Sequence, residues 1–282
     1  MCELLGLSFE KPISASVTFK EFSSGDQDNA DGWGVCWYPD QSLAIVKEPR
    51  KWRESHYAQF LCDYPGVESR ILMAHIRHKT RGGSPSHADT HPFGRELGGR
   101  EYVFAHNGTL DERVWGLPLG PARPLGATDS EQVFCHILHE IAERGIGLDG
   151  ETDWRWLQEL VGELNKLGHL NFLMSDGTRL FCYHDIGGWK GLHFRKVRIN
   201  DTTVRHFEDE SLSLNIEGDF FNRGLVIASR PLSQATWHPF HKGQFMVMEA
   251  GMIRYSSHRN GADGAPLEVM AFGGNGQSER GT

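Results

Sequence analysis

No stretch of this 282-residue chain approaches the roughly 18–20 consecutive apolar residues that a membrane-crossing helix needs. Runs of Lys or Arg are missing as well. With 29 basic against 37 acidic residues the formal charge is −8, which argues against nucleic acid or an anionic membrane surface as the main partner. Cysteine is scarce: Cys2, Cys36, Cys62, Cys135 and Cys182 are odd in number, far apart and without a C-x-x-C pair. That pattern predicts reduced thiols, not a disulfide framework or a zinc site. At the beginning, Leu4-Leu5-Gly6-Leu7 is too short for a signal peptide and follows the acidic Glu3, so a cytoplasmic chain is expected. No G-x-x-x-x-G-K-S/T phosphate loop and no internal repeat is found.

What is present suffices for a sizeable core, since 39% of the residues are apolar and 23% charged. The 15 histidines invite a metal reading. However, His238 and His241 merely flank Pro-Phe, and His136 and His139 share a helix without matching carboxylates, so no metal site is expected. Apolar runs predict a short strand over 2–8, a hairpin over 34–47 around Tyr38-Pro39-Asp40-Gln41, and strands over 70–76 and 101–105. Asn107-Gly108 favours a tight turn with positive φ. Helices are expected over 54–63, from Thr128 or Asp129 as cap through Ile141, and over 153–167 with Trp156, Leu157, Leu160 and Leu164 on one face. The remainder reads as strands: 170–174 and 179–183 as a hairpin, then 192–197, 224–229, 244–249 and 251–255. Residues 1–256 are expected to form the folded domain and 257–282 a disordered polar tail.

The first two residues matter most. A small side chain after the initiator lets an aminopeptidase remove Met1, exposing Cys2 with a thiol and a free α-amine on one residue. An α-amine titrates at about 7.7–8.0, and a thiol attacks only as thiolate. The amine is therefore a suitable base for the adjacent sulfur. By itself Met-Cys favours the plain reading, a small second residue kept for processing or a small buried hydrophobe.

Further along stand Asp31-Gly32-Trp33-Gly34, His75-Ile76-Arg77, Thr90-His91-Pro92-Phe93, His106-Asn107-Gly108 and Thr128-Asp129-Ser130-Glu131. Each has a plain structural reading: glycines for close backbone approach, a surface ion-pair arginine, a packed loop, a hairpin turn, a helix cap. In this order behind a penultimate cysteine, they resemble the class II glutamine amidotransferases, which belong to the N-terminal nucleophile hydrolases. The resemblance spans about residues 2–255 and is closest to stand-alone bacterial members without a fused synthase. Many synthase-linked members read His-Thr-Arg-Trp-Ala-Thr-His-Gly where this chain has His75-Ile76-Arg77-His78-Lys79-Thr80-Arg81-Gly82, so the arginine is kept while the residues after it change.

The resemblance implies an α+β chain folded as a four-layer α/β/β/α sandwich with two facing antiparallel sheets. It also implies Cys2 as nucleophile, Asn107 and the Gly108 N–H as oxyanion hole, Arg77 on the substrate α-carboxylate and Asp129 on its α-ammonium. The implied substrate is glutamine or another γ-glutamyl amide, hydrolysed through a Cys2 thioester with no metal or cofactor. Ammonia released here would call for an accepting partner subunit. Two alternatives stay open: a hydrolase of a larger γ-glutamyl amide or peptide, and a non-catalytic module that senses an amino acid.

Overall fold

The computed structural model describes residues 3–20, 30–64, 67–78, 86–199, 205–210, 212–218, 221–260 and 267–268. In chain order the elements are β1 (Glu3–Phe19), β2 (Ala30–Trp37), β3 (Ala44–Glu48), α1 (His56–Asp63), β4 (Glu68–His78), β5 (Phe93–Leu97) and β6 (Arg100–Leu110). Then come α2 (Asp129–Arg144), α3 (Glu151–Leu164), β7 (Gly168–Ser175), β8 (Arg179–Tyr183) and β9 (His193–Ile199). The last strands are β10 (Arg205–Glu208), β11 (Leu212–Gly218), β12 (Asn222–Ala228), β13 (His238–Pro239), β14 (Phe245–Glu249) and β15 (Met252–Ser256).

β1 is the axis of the first sheet, which runs β13-β9-β12-β1-β4-β2-β3. On one side its first half pairs with β12 and its second half with β11, while β4 lies along the other side. The sequence predicts a strand ending at Ser8, because Glu10-Lys11-Pro12 breaks the alternation and Pro12 has no N–H to donate. The fold absorbs this break as a register shift between Ser8 and Ile13. There the Asn222 side chain takes over, accepting from the Lys11 N–H at 3.0 Å and donating to its carbonyl at 3.1 Å. One strand of 17 residues results. The second sheet is antiparallel throughout, ordered β15-β14-β8-β7-β6-β5.

Three apolar clusters separate four layers. Leu5, Leu7, Val35, Leu72 and Ala74 of the first sheet pack outward against Trp52, Ala58 and Leu61, on and just before α1. Leu4, Met73, Ala105, Leu173, Leu180 and Ile227 fill the space between the sheets. Phe104, Phe172 and Phe245 of the second sheet meet Phe134, Ile137, Trp154 and Leu157 of α2 and α3. The order is helix, sheet, sheet, helix, as expected for the α/β/β/α sandwich.

Local chemistry explains where the helices begin and end. Ser55 caps α1, its hydroxyl accepting the Ala58 N–H at 3.0 Å, so the predicted helix over 54–63 divides into a 3₁₀ turn at Trp52–Glu54 and a shorter α-helix. Thr128 caps α2 through the Glu131 N–H at 3.2 Å, and Gly145 ends it in the left-handed region at φ 66°. α3 buries Trp154, Leu157, Val161 and Leu164, whereas the predicted stripe of Trp156, Leu157, Leu160 and Leu164 is rotated from it. Trp156 stays at the margin under Arg144, and Trp154 goes inside because its indole N–H reaches the Leu148 carbonyl at 2.7 Å.

Strands β5, β10, β11 and β13 were not expected from the sequence. Beyond residue 256 the Ser257 N–H still bonds the Phe245 carbonyl, and Leu267 donates to the Arg259 carbonyl. Residues 261–266 and 269–282 of the predicted tail lie outside the described residues, as do Cys2, the polar stretch 23–29, Lys79-Thr80-Arg81-Gly82 and the Pro65-Gly66 helix stop. No helix of the described residues is long and apolar enough to cross a membrane.

Candidate active site

Alternation along β4 decides what its polar end faces. Leu72, Ala74 and Ile76 point outward, so Ile71, Met73, His75 and Arg77 point toward the second sheet. On β6, Val103 and Ala105 line the same interior, and Asn107 continues that face with 4% exposure. Arg77 and Asn107 thus stand on facing sheets. Arg77 lies where β1 starts, since Glu3 is the register partner of Ile76 and Leu4 of His75, and Asn107 follows His106, which like Arg77 is near enough to the His91 ring to lower its pKa. Ser229 closes the other side of that start, its hydroxyl accepting the Leu4 N–H at 2.9 Å and its own N–H reaching the Leu4 carbonyl at 3.1 Å. Cys2, one residue before β1 in sequence, lies outside the described residues.

The predicted turn at Asn107-Gly108 is corrected by the fold. Both residues sit inside β6, paired with Asn171 and Leu170 of β7. Gly108 is required for space, not for a left-handed conformation. A β-carbon there would lie 2.0 Å from the His169 carbonyl oxygen and 2.5 Å from His106 Nε2. His106 points away from the cleft to α2, with Nδ1 2.8 Å from the Ser130 hydroxyl and Nε2 3.0 Å from the His169 carbonyl. The neutral ring with its proton on Nε2 satisfies both partners, and burial lowers its pKa despite the nearby Asp129.

Asp129 is the first residue of α2, and Thr128 is the cap. The Asp129 carboxylate accepts from the Leu110 N–H at 2.7 Å and the Ser130 N–H at 2.8 Å. It fastens the helix N-terminus to the end of β6, where a negative charge is favoured by the helix dipole. Asp129 therefore stands at the edge of β6 away from β7, at the end of the strand that carries Asn107 and Gly108.

The two glycines of Asp31-Gly32-Trp33-Gly34 allow close approach, and the segment that approaches is Thr90-His91-Pro92. A β-carbon on Gly34 would lie 2.2 Å from the His91 carbonyl oxygen and 2.7 Å from Pro92 Cδ, and one on Gly32 would lie 3.1 Å from Thr90 Cγ2. Lys47 tethers the same segment by donating to the Thr90 and Pro92 carbonyls at 2.7 and 3.1 Å. Mainly because it is desolvated, its ammonium pKa falls to about 8. The His91 ring is buried, 4.3 Å from His75 and 4.5 Å from Phe93. Burial, reinforced by His75, His106, Arg77 and Lys47, holds its pKa well below the usual imidazole range. His91 is therefore neutral at physiological pH.

Three of the other thiols are poor nucleophiles. Burial pushes Cys36 up to about 12, Cys135 up to about 11 and Cys182 higher still. Cys62 lies on α1, on the outer side of the first sheet, with its sulfur 3.5 Å from the Thr18 hydroxyl. Among the described residues no group of three or more His, Cys, Asp or Glu is arranged to hold a metal ion.

One polar group escaped the sequence reading. Asn165, His169, Asn171 and Asp185 converge beside Gly108 and Asn107, and Asp185 is buried with its carboxylate fully engaged. The available signal was Asn171, a polar residue interrupting the apolar run Leu170–Met174.

Comparison with known proteins agrees with this fold. Residues 1–267 match the glutamine amidotransferases class-II family. YafJ of Escherichia coli is 32% identical over 89% of this chain and 98% of its own length. The crystal structure of a predicted glutamine amidotransferase from Pseudomonas aeruginosa superposes with a TM-score of 0.72 at 25% identity, covering 90% of this chain and 99% of that one. A γ-glutamyl-hercynylcysteine sulfoxide hydrolase from Mycolicibacterium smegmatis is 31% identical over 55% of this chain and 60% of its own. The two facing antiparallel sheets and the match over nearly the whole length lead to one assignment: this chain belongs to the class II glutamine amidotransferases.

Proposed function

We propose that the protein hydrolyses the γ-amide of glutamine or of a γ-glutamyl compound, with Cys2 as nucleophile after removal of Met1. What supports this reading is that alternation along β4 and β6 puts Arg77 and Asn107 on the inner faces of opposite sheets, Arg77 beside the start of β1. Arg77 offers a planar fork suited to the substrate α-carboxylate. Asp129 would receive the α-ammonium, which favours a zwitterionic amino-acid end and leaves the distal amide for attack.

The Cys2 α-amine takes the thiol proton, and the thiolate adds to the amide carbon. The resulting oxyanion accepts from the Asn107 side-chain amide and the Gly108 N–H, an arrangement in which one donor is typically worth about 10²–10³ in turnover. The ammonium then gives its proton to the departing nitrogen as the C–N bond breaks, leaving a γ-glutamyl thioester. Water adds to the thioester, the C–S bond breaks, and glutamate and the free thiol are regenerated. The high pKa values of Cys36, Cys135 and Cys182 support assigning the chemistry to Cys2. If the amine released is ammonia, a partner subunit would consume it.

A larger γ-glutamyl amide is the second reading, favoured by the similarity to the Mycolicibacterium γ-glutamyl-hercynylcysteine sulfoxide hydrolase. The test is treatment of trimmed protein with a diazoketone analogue of glutamine, followed by peptide mass spectrometry and a glutamate-release assay. Alkylation of Cys2 alone, with loss of glutamate release, is the expected result. Binding of the analogue without any alkylation would make the protein a sensor instead.

A further inference from the structure

The connection from β8 to β9 is held more firmly than an exposed loop requires. Asp185 Oδ1 accepts from the Leu170 N–H at 2.9 Å and from Asn165 Nδ2 at 2.8 Å, and its Oδ2 accepts from the Trp189 N–H at 3.0 Å. Asn171 accepts from the Asp185 N–H at 2.9 Å and donates to the Trp189 carbonyl at 2.6 Å. Both backbone polar groups of Trp189 are thereby fixed. Its indole nevertheless remains 38% exposed. It lies on the His169 imidazole with ring centroids 4.3 Å apart and planes inclined by 15°, and the Lys190 ammonium sits 5.1 Å from the indole centroid.

This stack borders the proposed oxyanion hole. Asn171, which anchors Trp189, is the register partner of Asn107, and the His169 carbonyl abuts the Gly108 α-carbon. His169, Asn171 and Leu173 alternate onto one face of β7, and Leu173 reaches within 2.9 Å of where a Gly6 β-carbon would stand, so that face looks toward β1. Half of the His169 side chain is exposed. A rigid, partly exposed aromatic pair has no use for ammonia as a leaving group, because ammonia offers nothing to stack. It suits a flat ring on the departing amine, with little ordering cost because the loop is already fixed. With Lys190 already at the indole, a cationic ring is disfavoured and an anionic one favoured.

We propose that His169 and Trp189 form the wall of the site on the leaving-group side, and that the preferred substrates are γ-glutamyl amides of neutral or anionic aromatic amines. This rests on the γ-glutamyl amidase reading above and deepens it. The test is titration calorimetry on a Cys2→Ala background, with glutamine, γ-glutamyl anilide and γ-glutamyl-4-carboxyanilide as probes. The carboxyanilide is expected to bind at least 10-fold tighter than glutamine. Adding Trp189→Ala should remove at least 10-fold from the carboxyanilide and less than 2-fold from glutamine, and Lys190→Ala should abolish the advantage of carboxyanilide over anilide. His169→Ala provides a second variant should Trp189→Ala fold poorly. Equal effects of Trp189→Ala on all three probes, or no binding of any probe, would overturn the proposal. Arg77→Ala separates the two readings. If it abolishes binding of all probes while Trp189→Ala is without selective effect, the wall is wrong and the amidase site stands. If it changes nothing while the selective loss at Trp189 persists, the wall stands and the glutamyl pocket is misassigned.

Discussion

Gly34 leaves its α-carbon bare beneath the His91 carbonyl: a β-carbon there would lie 2.2 Å from that oxygen. This contact joins β2 of the first sheet to the segment that enters β5 of the second, next to the packed His75 and His91 rings. Gly34→Ala should therefore shift backbone, because neither the carbonyl nor Pro92 Cδ is the end of a flexible side chain. A loss of about 1–3 kcal/mol is expected, as for other overpacked sites. Urea denaturation measures it, and a midpoint equal to that of the wild type would show that the segment moves freely.

Asn107→Ala should lower kcat for glutamine hydrolysis by about 10²–10³ while leaving KM within a few-fold, because the lost donor acts on charge that develops during reaction. Steady-state kinetics on protein with an unchanged melting profile checks this. A KM effect alone would make Asn107 a ground-state binder.

Arg77→Lys keeps the charge but loses the planar fork. It should reduce kcat/KM by about 10-fold or more, in line with the about 1.5–3 kcal/mol that a hydrogen bond to a charged group contributes. A glutamine titration reads the loss as raised KM, and an unaltered KM would remove Arg77 from the carboxylate site.

The buried imidazoles give stability a defined pH dependence. His91 and His106 are held below the ordinary value of 6.5, chiefly by burial. Above that value neither folded nor unfolded chain protonates them. As the pH falls below it the unfolded chain takes up protons that the folded chain refuses, so stability drops, by at most about 1.4 kcal/mol per pH unit for each and more steeply for His91, which is shifted further. Urea midpoints between pH 7.5 and 5.5 should show this fall, and His91→Gln should reduce the slope by about one proton. An identical slope in the variant would mean that His91 protonates normally in the folded state.

Retention of Met1 should abolish amide hydrolysis, because the α-amine would then belong to another residue and could no longer serve the Cys2 sulfur. Comparing trimmed protein with protein carrying Met1, verified by intact mass, tests this directly. Equal activity would place the base elsewhere.

Much of this protein follows from short-range chemistry. Thr128 ahead of Glu131 and Gly145 after Arg144 bound α2 wherever the helix packs, and the hairpin over β7 and β8 follows from alternation around Ser175-Asp176-Gly177. Periodicity marked an α+β chain, and the order of motifs carried the resemblance to the class II glutamine amidotransferases. Tertiary structure decided the rest. Asn107-Gly108 reads locally as a turn, yet pairing with Asn171 and Leu170 extends it as strand, because a neighbouring strand outweighs the dipeptide preference. β1 reads as ending at Ser8, yet the Asn222 side chain, 211 residues from Lys11, satisfies the backbone at the break. The wall of His169 and Trp189 has no local signature at all. Its members are ordinary residues on separate elements, and only the hydrogen bonds of Asn171 and Asp185 bring them together beside Gly108.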